Sequence, residues 1–567
     1  MVEKSFQENI KELFLKKKYK KVVSSIEKNF KSKSKPPGIS NLSGVCKVLI
    51  KNRTKNDILS ALKDFEDCYC RSNLIPQKTE ALCNYITACV NNSKTFLEIS
   101  NYFEKAKVLF EEHVDKIGYN EKLYKHGVDV YKQLLEHRNV DKLLNELIKN
   151  KTNSKIIACS YSFMKNYNYD WTQNDYFEYS KKFVKYFPTF ISKNIKEIEF
   201  KKNKKIRVGF VAKDFAVNHS VTYFLKDTLK YFDKDIFELY SFSLSSDNFL
   251  KDSSLELKNN FDRWFDLTAS NNQGIINKIQ EERIEILIDI MGLTHADRIE
   301  IFNNRCSPVQ ISWMAFLNTV GFSNIDYIIA DKYLIKSDEE KLYSEKILKL
   351  SNVWSCHSGF KFKREYSQSP FKKNNSITLG SFNNYLKITD DVIKVWSTIL
   401  CSIKNSKLIL KSSFNHNEKF ILKKFSKYGV QDSLEFYNKN DFIEIEDHIK
   451  LYSKIDLALD TFPYNGVTTT FEALWSGVPV LVMRGHNMNS RAGESILING
   501  NIKNFIASNQ DDYIKKAIYF GNNLEKLEQE RNQIFNNILN SPLFNSQKFS
   551  YDLQNKLLKI YKRKLTN

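Results

Sequence analysis

From residue 206 onward the chain runs twice through one pattern, a short apolar segment followed by a loop and a helical stretch. IRVGFVA (206–212), FELYSFSL (237–244), ILIDIMG (286–292), VQISWMA (309–315) and IDYIIAD (325–331) form the first series. A basic linker, FKFKREYSQSPFKKNN (360–375), interrupts it. The alternation then restarts with ITLGSFN, KLILKSS, LEFYN, IDLALD and VPVLVM. Short apolar strands alternating with helices require a parallel sheet with both faces covered. Two such series of comparable size predict two Rossmann-like lobes facing a cleft, over residues 205–365 and 366–567. Ligands of such sheets sit at the carboxyl ends of the strands.

The preceding residues carry a different period. Apolar positions recur at three and four, as in Ile10, Leu13 and Phe14, then Val22, Val23 and Ile26. Three stretches beginning at Ile39, Thr79 and Glu121 each read as helix, polar turn and helix. Their spacing of roughly 40 residues is near that of helical-hairpin solenoids. Residues 1–155 are therefore expected to form a degenerate tetratricopeptide-like array, a surface for binding protein. Residues 156–204 read as connecting helices, and the basic run 201–205 marks a boundary.

At 567 residues the chain is long enough for about three to four domains. Its net charge of +21 invites a nucleic-acid reading. The lysines are spread along the whole chain, however, and no zinc-finger, helix-turn-helix or RNP motif gives the charge a geometry. No nucleic-acid partner is expected. The N-terminus lacks the apolar core of a secretory signal. No apolar run approaches the roughly 18–20 residues of a membrane helix. The nine cysteines are scattered, which predicts free thiols in a reducing compartment and a cytoplasmic protein.

Three segments can carry chemistry. In DLALDTFPYNGVTTTFEALWSGVPVLV a buried strand runs into a turn at Asn465–Gly466, and Thr468 or Thr469 can cap a helix carrying Glu472. The N-terminus of that helix suits a phosphate, although a capped strand–helix turn alone also accounts for the pattern. In GSFNNYLKITDDVIKVW a strand ends at Phe382–Asn383, and Lys387 follows where it can neutralise a diphosphate or remain merely solvated. In VGFVAKDFAVNHSVTYFL the loop after the first strand carries Asp214 and His219, candidate acid–base groups or a polar loop with a capping histidine. His295, near the end of the third strand, can line the cleft. Cys356–His357 has no partner acid and is read as structural.

Together these segments resemble the O-linked N-acetylglucosamine transferase/SPINDLY family. The resemblance covers about residues 205–562. NGVTTTFEALWSGVPV (465–480) is its most specific stretch, followed by FNNYLK (382–387), NRCSPVQISWMAF with GFSNIDYIIAD (304–331), DFAVNHSV, MNSRAGESIL (488–497) and SPLFN (541–545). It implies an α/β GT-B fold preceded by an all-α tetratricopeptide-like domain. It also implies inverting transfer of N-acetylglucosamine from UDP-N-acetylglucosamine to Ser or Thr of proteins, without a metal or other cofactor. By resemblance, Lys387 sits on the diphosphate and Asn384 takes a nucleotide-contacting position. Thr468 and Thr469 hold the phosphates at the helix N-terminus, Asn465 and Gly466 belong to the nucleotide-sugar site, Glu472 binds ribose hydroxyls, and His448 lies beside the base. His219 and Asp214 match acid–base candidates. The protein or peptide acceptor is expected along the helical array. Departures from the family pattern are the longer DFAVNH spacing, Val467 where some members have His, and Ile445 and Leu451 where some have basic residues. Other family donors, UDP-glucose or GDP-fucose, and an Asn acceptor therefore stay open, as does a non-catalytic adaptor that only senses a nucleotide sugar.

Overall fold

The computed structural model describes residues 2–31, 33–189, 205–215, 219–247, 250, 252–412, 417–438 and 444–566. Most of the basic boundary expected at 201–205 lies outside these residues, as do 216–218 between Asp214 and His219. The chain divides into two compact units, Met1–Thr152 with Ser413–Lys423, and Asn153–Ser412 with Lys424–Asn567.

The first unit is a run of helical hairpins. Pro37–Leu49 pairs with Lys55–Arg71, and Glu121–Gln133 with His137–Lys149. Local chemistry starts these helices. Thr54 and Asp57 form a reciprocal capping box ahead of Lys55–Arg71, and Asn120 accepts the Leu123 N–H ahead of Glu121–Gln133. In Lys55–Arg71 the buried face is Ile58, Ala61, Leu62, Phe65 and Cys68, the three-and-four spacing of one helix side. A Cβ on Gly44 would lie 2.6 Å from the Phe65 ring, and one on Gly127 2.8 Å from Leu143, so these hairpins close where a side chain is missing.

The second unit holds two parallel sheets. The first contains β1 (Ile206–Ala212), β2 (Phe237–Ser243), β3 (Arg263–Asp266), β4 (Ile286–Asp289), β5 (Val309–Ser312), β6 (Tyr327–Ala330) and β7 (Lys346–Lys349), in the order β3-β2-β1-β4-β5-β6-β7. The second contains β8 (Thr378–Ser381), β9 (Lys407–Ser412), β10 (Leu434–Asn438), β11 (Leu457–Leu459), β12 (Val480–Met483) and β13 (Ile506–Ala507), in the order β10-β9-β8-β11-β12-β13. The winding reverses between β1 and β4 in the first sheet and between β8 and β11 in the second. A crevice opens at such a reversal, because successive connections leave the sheet on opposite sides.

Three strands escape the sequence reading, namely β3, β7 and β13. Each is a sheet edge, and each is only partly buried, so its sequence (RWFD, KILK, IA) lacks an apolar run. The helices Lys155–Met164 and Gln173–Phe183 do more than connect. Ala158, Cys159, Phe183 and Phe187 pack into one core with Val211, Tyr240 and Phe242 of the first sheet. The terminal helix Ser546–Thr566, at the end of the span read as the second lobe, also reaches the first. Gln554 accepts the Asp233 N–H at 2.7 Å and donates to the Tyr231 carbonyl at 3.0 Å, and the Tyr561 hydroxyl donates to Glu285 at 3.0 Å.

Candidate active site

Both reversal points feed one cavity of about 480 Å³, within the size range of small-ligand sites. Asp214, His219 and His295 line it from the ends of β1 and β4. Asn383, Asn384, Lys387, Tyr464, Thr468 and Thr469 line it from the ends of β8 and β11.

On the first lobe, Asp289 closes β4 and accepts the N–H groups of Met291 and Gly292, turning the chain sharply. Gly292 has φ +52°, and a Cβ there would meet Phe316 at 2.3 Å. That turn delivers His295, whose Nε2 lies 3.1 Å from Asp214 Oδ1. His219 begins the helix Ser220–Lys230, its Nδ1 accepting the Val221 N–H at 3.4 Å. Its Nε2 lies 3.7 Å from the same Asp214 oxygen. Burial works against the Asp214 charge, but the His295 hydrogen bond and the charges of His219, His295 and Lys213 prevail and hold its pKa below the ordinary value. Burial pulls His219 below the usual histidine range, against the pull of Asp214.

On the second lobe, Asn384 accepts the Leu386 N–H and starts the turn that carries Lys387. Lys387 Nζ donates to the Asn465 carbonyl at 2.7 Å and stands 4.0 Å above the Tyr464 ring. The Asn465 side chain donates to the Thr461 carbonyl and accepts the Gly493 N–H. Asp460, which closes β11, accepts from Gly466 N at 2.7 Å, Thr461 N at 2.9 Å and Asn383 at 3.2 Å. Burial raises the Asp460 carboxyl and lowers the Lys387 amine, and each charge partly restores the other. The helix Thr468–Trp475 differs from the capping expected at Thr468 or Thr469. Its N-cap is Val467, and no side chain caps it. The Thr469 hydroxyl bonds instead to Asn383 at 3.2 Å. The helix N-terminus therefore keeps its positive end toward the cleft.

Glu472 and His448 stand apart from the cavity wall and meet each other. Glu472 Oε2 lies 3.0 Å from His448 Nε2 and accepts the Tyr452 hydroxyl at 3.0 Å, while Lys411 bonds to His448 Nδ1. Burial opposes the Glu472 charge, yet His448 and Tyr452 hold its pKa below the ordinary value. Sequence reasoning missed Asp460 and Tyr464. The signal for Asp460 was a lone charge ending an apolar strand, while Tyr464 carried none.

Two parallel sheets with a cleft at their facing reversal points, preceded by a helical array, define the GT-B glycosyltransferase fold with a tetratricopeptide-like N-terminal region. A structure of the O-GlcNAc transferase of Thermobaculum terrenum superposes over 94% of this chain and 99% of its own, with TM-score 0.74 and 19% identity. The chain belongs to glycosyl transferase family 41, whose profile matches residues 188–358 and 364–553. A Petunia hybrida protein described as a probable UDP-N-acetylglucosamine–peptide N-acetylglucosaminyltransferase SPINDLY is 29% identical over 370 residues, 64% of this chain and 39% of that protein. The Arabidopsis thaliana protein of the same description named SEC is 26% identical over 369 residues, 63% of this chain and 37% of its own. The chain thus aligns with about two fifths of the length of these relatives.

Proposed function

We propose that this chain transfers N-acetylglucosamine from UDP-N-acetylglucosamine to Ser or Thr hydroxyls of proteins, with inversion at the sugar. The observation that carries the reading is the pairing of Lys387 and an uncapped helix N-terminus on one wall with the Asp214–His219–His295 cluster on the other. As the bond to the anomeric carbon breaks, negative charge grows on the departing diphosphate. Lys387 and the N–H groups at Thr468 and Thr469 stabilise that charge most when it is fullest, which is what lowers the barrier. Asn465 and Gly466 shape the turn that holds them. Asn384 contacts the nucleotide, Glu472 accepts from the ribose hydroxyls through its oxygen not held by His448 and Tyr452, His448 lies beside the base, and the facing wall receives the acceptor's proton.

The relatives' descriptions favour UDP-N-acetylglucosamine as donor. Val467, Ile445 and Leu451 keep UDP-glucose and GDP-fucose as the alternatives. No metal is assigned to the reaction; among the described residues no cluster of three His, Cys, Asp or Glu has metal-binding geometry. The helical array is the proposed seat of the protein acceptor. Among the described residues no helix is long and apolar enough to cross a membrane. Nine free cysteines favour a reducing, cytoplasmic setting.

Calorimetric titration with UDP and with GDP, beside Lys387→Ala, tests the reading. A charged hydrogen bond contributes about 1.5–3 kcal/mol, so UDP affinity should fall roughly 10- to 100-fold in the variant. Binding of GDP alone redirects the donor to a GDP-sugar. No binding of either nucleotide by the wild-type chain rejects a working transferase and favours the adaptor.

A further inference from the structure

Two imidazoles share one oxygen of Asp214, and they are not equivalent. His219 spends Nδ1 on the Val221 N–H at 3.4 Å, and its Nε2 stands 3.7 Å from Asp214, beyond hydrogen-bond distance. His295 gives Nε2 to the same oxygen at 3.1 Å, and its Nδ1 has no hydrogen-bond partner among the described residues. A carboxylate only accepts. An imidazole bonded to it through Nε2 therefore carries its hydrogen there, and the neutral ring keeps its lone pair on Nδ1. For His219 that lone pair is spent on the backbone of its own helix. For His295 it belongs to a side chain of the cleft wall.

We propose that His295, oriented by Asp214, is the base that takes the acceptor's proton, and that His219 is a positioning residue that starts the Ser220–Lys230 helix and buttresses Asp214. The proposal rests on the transferase reading above. In the step, the acceptor O–H yields its proton to His295 Nδ1 while its oxygen bonds to the anomeric carbon. The bond from that carbon to the diphosphate oxygen breaks, and its electron pair leaves with the diphosphate. The imidazolium that remains is paired through Nε2–H with Asp214, and the proton then passes to solvent. The orientation depends on the Asp289–Gly292 turn, which aims the loop at Asp214.

The test compares the full-length wild type with His295→Gln, His295→Ala and His219→Gln. UDP release and peptide labelling are followed with UDP-N-acetylglucosamine and a Ser/Thr peptide pool, repeated with UDP-glucose and GDP-fucose (scoring GDP release), beside UDP and GDP titration. His295→Gln should lower kcat about 100-fold or more while nucleotide affinity stays within about twofold. Added imidazole should restore part of the turnover of His295→Ala, which it would not do for a merely structural residue. Ring-nitrogen NMR of the wild type should find His295 protonated at Nε2 and bare at Nδ1, a readout independent of how the variants fold. Wild-type turnover in His295→Gln, a larger loss in His219→Gln, or a hydrogen on His295 Nδ1 overturns the proposal alone. Wild-type protein that neither binds UDP or GDP nor turns over any donor overturns the transferase reading, and this one with it.

Discussion

At the scale of single residues, burial decides which polar groups are structural and which are poised. His357 is fully enclosed, stacked on Tyr223 at 5.5 Å and edge-on to Phe224 at 5.0 Å. Its Nδ1 accepts the Gly359 N–H at 2.9 Å. Burial drives its pKa to about 3, with Glu472 favouring the proton and Lys226 opposing it. An unfolded histidine titrates near 6.5. Between that value and about 3 the unfolded chain binds a proton that the native chain refuses, so His357 costs stability as pH falls through this window. His357→Phe should lose less melting temperature between pH 8 and pH 5 than the wild type. Equal losses in a thermal series would refute the assignment.

At the scale of elements, the turn from β11 into the helix Thr468–Trp475 is the most tightly specified piece of the site. A Cβ on Gly466 would lie 2.3 Å from the Thr469 hydroxyl, 2.8 Å from Asn383 and 2.9 Å from Asp460. All three contacts are polar groups that hold the turn, so none can retreat without breaking a hydrogen bond. Gly466→Ala should destabilise the fold by about 1–3 kcal/mol and weaken UDP binding at least tenfold. Denaturant unfolding and calorimetry read the two effects, and a variant with wild-type affinity would show that the turn does not shape the phosphate site. The NGVTTT segment announced this turn in the sequence because glycine and threonine have few other uses between a strand and a helix. The absence of a side-chain cap was not legible, since Thr468, Thr469 and Thr470 are alike until the Asn383 contact singles out Thr469.

At the scale of the whole molecule, the two lobes are tied by contacts between residues far apart in the chain. Ser495 donates to the buried Asp331 at 2.5 Å, and Arg491 pairs with Glu339. Phe224 meets Phe471 edge-on at 5.2 Å. The terminal helix returns to brace the first lobe through Gln554 and Tyr561. Gln554→Ala removes partners from the Asp233 N–H and the Tyr231 carbonyl, a loss of about 1–3 kcal/mol. Hydrogen exchange should then quicken at the start of β2, more than 300 residues away in sequence. Unchanged protection there would mean that the helix rests on the lobe without supporting it.

Alternation of short apolar runs with helical stretches determined by itself that the chain has two parallel-sheet lobes, because a strand buried on both faces must be apolar throughout. The same logic marked the loops after β1, β8 and β11 as the places for Asp214, Lys387 and the Asn465–Thr469 turn. Three of the four edge strands, β3, β7 and β13, were hidden because one partner suffices for them and solvent relaxes their composition, whereas the edge strand β10 kept a readable LEFYN. Only tertiary structure decided the strand order, and with it the two reversal points that bring Asp214, His295, Lys387 and Thr469 to one cavity. Strand order arises from pairing between segments distant in sequence, and no local pattern records it. Tertiary structure likewise set His448 and Glu472 against each other behind the cavity wall, and left the His295 Nδ1 lone pair, not that of His219, without a partner among the described residues.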